Sequence, residues 1–192
     1  MPRAGEGRER QAGNERLAYM LKRGDRIVHI RHGAGIVQGM REMTFDGNQR
    51  QYYCIRLLAS HGEVMLPIDS MEENEIRTDI VEEDFIRQVM NLTPEILAND
   101  YKVRQANIRR QLTSGTPSEI VQALRDLCWR ERYRPLTSAD SELKLKALRL
   151  VKEELALKLQ IDIEEAAKRL NDIIADAMIS HQQVADASQN LN

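Results

Sequence analysis

The spacing of apolar residues changes once along this 192-residue chain, and that change limits what it can fold into. Between residues 25 and 68 the runs DRIVHI, GIVQGMREMTF, QYYCIRLL and GEVMLPI are short and rich in β-branched and aromatic side chains. The turn sequences RHGA, DGNQ and ASHG separate them. Asp46-Gly47 followed by Asn48 is a hairpin signal, because glycine takes the positive φ that a two-residue turn requires. Several strands within about 45 residues cannot form a wide sandwich, so a small, strongly bent β-barrel is expected.

From Ser70 onward the period becomes 3.6. VEEDFIRQVMNL aligns Val81, Phe85, Val89 and Leu92 as the buried stripe of a short helix. Thr93-Pro94 is expected to open a second helix running to Gly115, with proline in its first turn. Thr116-Pro117-Ser118-Glu119 predicts a capping box before a helix with the stripe Ile120, Leu124, Leu127 and Cys128. PLTSADSE supplies further capping residues ahead of LKLKALRLVKEELALKL, and Asp162-x-x-Glu165 caps a last helix ending near Met178. The expected organisation is α+β: an extension at 1–23 without stable order, a barrel at 24–76, a helical bundle at 77–178 and a tail at 179–192 without a core.

Charge is unevenly spread behind a net value of −2. Gly62 to Leu97 holds ten acidic residues against two basic ones, whereas Asp100 to Pro135 holds eight basic against four acidic. Such segregation marks either a solvated helix surface or a basic face for an anionic partner. Cys54 and Cys128 fit no metal spacing and are expected to be reduced core thiols. No apolar run is long enough to span a membrane, and the N-terminus lacks the apolar stretch of a signal peptide. A cytoplasmic monomer is expected, with no cofactor, membrane or small-molecule substrate.

The glycines of RHGAGIVQGM invite comparison with a phosphate-binding loop. Such a loop lies between a strand and a helix start, whose amides face the phosphate. Here Gly33-x-Gly35-x-x-x-Gly39 leads into another strand-like run, and the spacing departs from the dinucleotide pattern. The glycines are therefore expected to allow a tight turn and a bulge. His29, His32, His61 and His181 have no ligand spacing, although His32 and His61 fall on loops that a barrel brings close. The acidic pairs of MEEN and VEED sit in polar sequence, as a solvated surface does. No nucleophile has a supporting motif, so no catalysis is expected.

GDRIVHIRHGAGIV, joined to GEVMLPID some way on, resembles the RNA-polymerase-interacting module of the CarD/CdnL family, also found in transcription-repair coupling factors. The matching features are Gly24-Asp25, the turn His32-Gly33-x-Gly35, and Val64-Met65-Leu66-Pro67. Further on, QLTSGTPSEIVQALRDL and LTSADSELKLKALRLVKEELAL resemble the family's helical part, so the likeness runs from Gly24 to Ala175. The resemblance implies a Tudor/SH3-like barrel followed by an all-α bundle. It also implies a bacterial transcription regulator that is not an enzyme. In the family the barrel docks on the β subunit of RNA polymerase through a strand edge. The helical part meets promoter DNA at the upstream edge of the bubble, where a tryptophan wedges into the minor groove and stabilises the open complex.

Carried onto this sequence, the resemblance assigns Arg41, Met43, Met65 and Pro67 to polymerase binding. Some family members have arginine where Met43 and Met65 stand, and Arg41 shares the strand face of Met43. For DNA it assigns Tyr101, Lys102, Arg104 and Arg109. The family tryptophan falls at or beside Asp100, with Tyr101 following, while the sole tryptophan, Trp129, belongs to the next helix as a packing residue. The alternative is a protein-binding adaptor of the same fold without DNA contact.

Overall fold

A computed structural model of the chain describes residues 21–45, 48–60, 62–70, 76–78 and 80–189. They divide into two units between Ile80 and Val81. The first contains strands β1 (Arg26–His29), β2 (Gly33–Phe45), β3 (Asn48–Leu57), β4 (Glu63–Pro67) and β5 (Ile76–Arg77), with a 3-10 turn at Ile68–Ser70. All pairings are antiparallel, in the spatial order β4-β3-β2-β1-β5. The sheet bends round Leu21, Ile27, Val37, Tyr53, Ile55, Leu66 and Ile76, and no ladder joins its edges β4 and β5 among the described residues. Leu21, expected in the disordered extension, is thus a core residue. The residues before it lie outside the described ones, as does the Asp46-Gly47 turn, though Phe45 pairs with Asn48 on either side of that turn.

The glycines act as backbone devices. Gly33 takes φ 87° after the turn, and Gly39 takes φ 140° where the β2–β3 register slips past Gln38. A Cβ on Gly35 would stand 2.6 Å from Ile55 Cγ2 and 3.0 Å from the Arg56 carbonyl, so only glycine lets β2 and β3 approach this closely. The amides of Arg31 and His32 already donate to His29 Nδ1, at 3.1 and 3.4 Å. The loop turns a strand back.

The second unit contains α1 (Glu83–Asn91), α2 (Tyr101–Thr113), α3 (Pro117–Tyr133), α4 (Ser138–Leu159) and α5 (Ile163–Gln189). Of the expected stripe Val81 and Val89 are buried and Phe85 half-buried, while Leu92 is exposed; Ile86 and Met90, beside them on α1, complete the buried face. Residues 92–100 are not helical, and α2 begins at Tyr101 rather than after Pro94. Thr116 stands at the N-cap of α3 with no side-chain bond to the helix, so the expected box does not form there. A full box does form at α4, where Thr137 and Asp140 exchange bonds, and Asp162 accepts from the Glu165 amide at 2.7 Å to start α5. Beyond Met178, where a coreless tail was expected, α5 continues to Gln189. His181 is buried there, with Nε2 2.7 Å from the Met90 carbonyl of α1, which satisfies an acceptor at a helix end. No described helix is long and apolar enough to cross a membrane.

Candidate protein-binding and DNA-binding surfaces

The register of the sheet decides which side chains share a face. Arg41 lies opposite Tyr52, and Tyr52 opposite Pro67; Gly39 lies opposite Cys54, and Cys54 opposite Met65; Met43 lies opposite Arg50. Paired residues project to the same side, as do residues two apart on one strand. Arg41, Met43, Met65 and Pro67 therefore come together on the outer face, away from the buried Tyr53, Ile55 and Leu66. Met43 and Met65 are each 41% exposed. Two flexible, polarizable thioethers thus stand in solvent on one face, a composition suited to contact with a partner.

Charges border these methionines. Arg41 Nη2 is 4.0 Å from Glu63 Oε1, and Arg50 Nε is 3.8 Å from Asp69 Oδ2, both at exposed positions where ion pairs are weak and exchangeable. Gln38, Arg41, Arg56 and Glu63 line a shallow hollow on the sheet. Cys54 is buried, and its thiol is pushed up by burial and by a bond to Glu63, against the pull of Arg41. It is therefore a protonated packing group. Met65 and Pro67 lie on β4, an edge strand with β3 on one side only among the described residues. Such an edge is open to β-augmentation.

In the helical unit, Asp100 caps α2: its Oδ1 accepts from the Lys102 amide at 2.8 Å and the Val103 amide at 3.0 Å. Short acidic side chains favour this position, which explains why the helix starts late. Tyr101 then occupies the first helical position, 54% exposed, with the Lys102 ammonium 6.0 Å from its ring centroid. Lys102 and Arg109 are exposed and seven residues apart, which aligns them on one stripe about 10 Å long. Arg110, on the next stripe, is 3.5 Å from Glu119.

Arg104 departs from the expected DNA-facing role. It is 2% exposed, and its fork grips Asp140, itself 1% exposed, through Nε–Oδ1 at 3.2 Å and Nη2–Oδ2 at 2.8 Å. Nη1 donates to the carbonyls of Ala98 and Asn99 at 2.7 and 3.0 Å. One guanidinium thus ties the segment before α2 to the start of α4, with four of its five N–H donors engaged and the group itself buried away from any phosphate. Burial pushes the Asp140 carboxyl up, but Arg104 and Thr137 together outweigh that and hold it below its ordinary range. The same segment is held elsewhere by Asp126, which accepts from the Glu95 amide at 3.0 Å, and by Arg134, whose Nη1 donates to Asn99 Oδ1 at 3.0 Å.

The sequence reading missed these ties. Their one visible signal was the Thr-x-x-Asp box at Thr137, which placed Asp140 at a helix start. Trp129 packs edge-on against Tyr133 and His181, with ring centroids 6.1 and 5.9 Å apart, as a packing residue does. His61, whose approach to His32 was considered, lies outside the described residues. Among the described residues no three His, Cys, Asp or Glu side chains gather as a metal site.

A bent antiparallel sheet with an exposed methionine-bearing face is followed in the same chain by a helical unit whose basic helix start is capped, a two-part architecture. Residues 21–78 match the CarD-like/TRCF RID domain, and residues 86–171 match the CarD C-terminal domain. The chain belongs to the CarD/CdnL family of transcription factors. It is similar to "Putative transcription factor YdeB" of Bacillus subtilis (strain 168), at 28% identity over 138 residues, covering 71% of this chain and 90% of that one.

Proposed function

We propose that this protein binds the β subunit of RNA polymerase through the outer face and edge of β4. We further propose that it contacts promoter DNA with its helical unit, stabilising the open complex in the cytoplasm as a monomer, without a catalytic step. The observation that carries the reading is the convergence of Arg41, Met43, Met65 and Pro67, separated by up to 26 positions in sequence, on one exposed sheet face. On the DNA side, the exposed stripe of Lys102 and Arg109 supports phosphate contact, and Tyr101, which follows the residue on which the family's wedge falls, offers an exposed aromatic ring at the helix start. Arg104 holds this start in place and is not part of the contact set.

Capture of purified RNA polymerase by the full-length chain, beside its Met65→Glu variant, tests the docking face. A charge placed there desolvates poorly against an apolar partner, so binding falls at least tenfold with the fold intact. Equal capture by both chains overturns the assignment of the face. For the helical unit, Lys102→Ala and Arg109→Ala each shorten open-complex lifetime and lower the salt dependence of DNA binding by about one phosphate contact. Polymerase capture with no change in lifetime or salt slope favours the adaptor reading.

A further inference from the structure

Among the described residues, two of the three exposed methionines lie on the docking face. Of eight methionines, Met40, Met43 and Met65 are exposed, Met90 and Met178 are buried, and Met1, Met20 and Met71 lie outside the described residues. Among the described residues of the sheet unit, every exposed large apolar side chain is a methionine. The two thiols offer an oxidant little. Cys54 and Cys128 are buried, and burial raises both, Cys128 to about 11, so neither is a thiolate at neutral pH. Met40 lies opposite Tyr53, which places it on the other side of the hairpin from Met43 and Met65.

We infer that Met43 and Met65 form an oxidation-sensitive pair, and that their conversion to methionine sulfoxide releases the sheet face from its partner. This rests on the docking role proposed above. A peroxide is the oxidant: the thioether sulfur attacks one peroxide oxygen, the O–O bond breaks, and an S–O bond forms. Sulfur loses two electrons, and the other peroxide oxygen takes up the proton of the transferred one and leaves as water. Each event turns an apolar, adaptable side chain into a polar one with a strong acceptor. Buried against an apolar partner surface, that acceptor has lost its water without gaining a donor, so affinity drops on the order of tenfold. A methionine sulfoxide reductase reverses the change.

The test uses the full-length chain, hydrogen peroxide and purified RNA polymerase. After treatment, peptide mass mapping locates the added oxygens, thermal melting checks the fold, and binding is measured before oxidation, after it, and after incubation with methionine sulfoxide reductase. The expected result is oxygen on Met43 and Met65, an unchanged melt of the sheet unit, about tenfold weaker binding, and recovery with the reductase. The double variant Met43→Leu/Met65→Leu, whatever its own affinity, shows no further change on treatment. The inference is overturned if oxidised Met43 and Met65 bind as before, if neither residue takes up oxygen, or if the double variant remains equally sensitive. An untreated chain that fails to bind polymerase removes the docking role and the inference together, whereas binding that ignores oxidation removes the inference alone.

Discussion

The two units place their charges in opposite ways. Among the described residues of the sheet unit the buried set is apolar except for His29, and the arginines are exposed or, at Arg26 and Arg77, half-buried. In the helical unit Arg104, Arg125, Asp126, Arg130, Asp140, Glu153 and Glu154 are all buried. A strand alternates strictly, so a charged residue in it faces out or breaks the core. A helix in a bundle has flanks that neighbouring helices cover, and a charge there is tolerated when its partner is covered with it. Charge on a strand is therefore good evidence of surface. On a bundled helix it is not.

The largest test of this contrast is Asp140→Ala. It leaves the Arg104 guanidinium buried without its carboxylate, a loss of about 3–5 kcal/mol from the helical unit. Urea unfolding followed by Trp129, the sole tryptophan, reports on that unit alone. A loss under about 1 kcal/mol would mean that the pair behaves like a surface bridge. Acid offers a second approach to the same pair. Asp140 has its folded pKa lowered, so its ionised form stabilises the fold above the unfolded value of about 3.9, and that contribution is lost as pH falls through the folded pKa. Asp126 is raised, chiefly by burial, so between about 3.9 and its folded pKa its contribution runs the other way, with stability falling as pH rises. Asp140→Asn should flatten the acid limb of a stability–pH curve, and Asp126→Asn should steepen it.

The sheet unit fails by a steric route. Gly35→Ala sets a methyl 2.6 Å from Ile55 Cγ2 and 3.0 Å from the Arg56 carbonyl, which costs about 1–3 kcal/mol in the sheet unit. Hydrogen exchange resolved by unit should show faster exchange across β2 and β3 with α2 to α5 unchanged. Loosening of both units together would mean that they open as one.

These outcomes follow the limits of what the sequence reveals. Period-2 alternation puts Arg41 with Met43, and Met65 with Pro67; the resemblance named the four together, and the register of β2, β3 and β4 puts both pairs on one face. The glycine turn was legible for the same reason: a strand on each side leaves a loop no helix start to offer a phosphate. In the helices, propensity marked the elements but not their starts. Pro94 permitted a helix, yet the Glu95 amide goes to Asp126 of α3 and the Ala98 and Asn99 carbonyls to Arg104 of α2, and Asp100 caps instead. The Asp126 bond spans 31 positions, and Arg104 is itself held by Asp140, 36 positions away, beyond any local pattern. The course of α5 past Met178 was hidden likewise, since His181 is held by Met90, 91 positions away.

The Asp100 cap lies between the two extremes. Asp100→Ala removes the acceptor for the Lys102 and Val103 amides, which become free to meet water, and about 1 kcal/mol is lost. The loss should be local: faster exchange at those two amides, with Arg104 still holding Ala98 and Asn99. Unchanged exchange at both amides would show that the Arg104 tie fixes the helix start unaided.

The smallest effect comes from the same helix, six residues beyond Arg104. Arg110 and Glu119 are 3.5 Å apart, an arginine and a carboxylate as in the buried pair, but the Arg110 side chain is 67% exposed. Water already solvates the guanidinium, although Glu119, 30% exposed, is the more covered partner, so the pair gains little Coulomb energy and salt screens it. Arg110→Ala should change the urea midpoint by the equivalent of about 0.5 kcal/mol or less, and the difference should vanish at high salt. Since Arg104 and Arg110 share a helix and a side-chain type, burial is the main variable left between them. A loss at Arg110 approaching that at Asp140 would mean that proximity, not exclusion of water, sets the strength of these pairs, and the contrast between sheet and bundle would lose its physical basis.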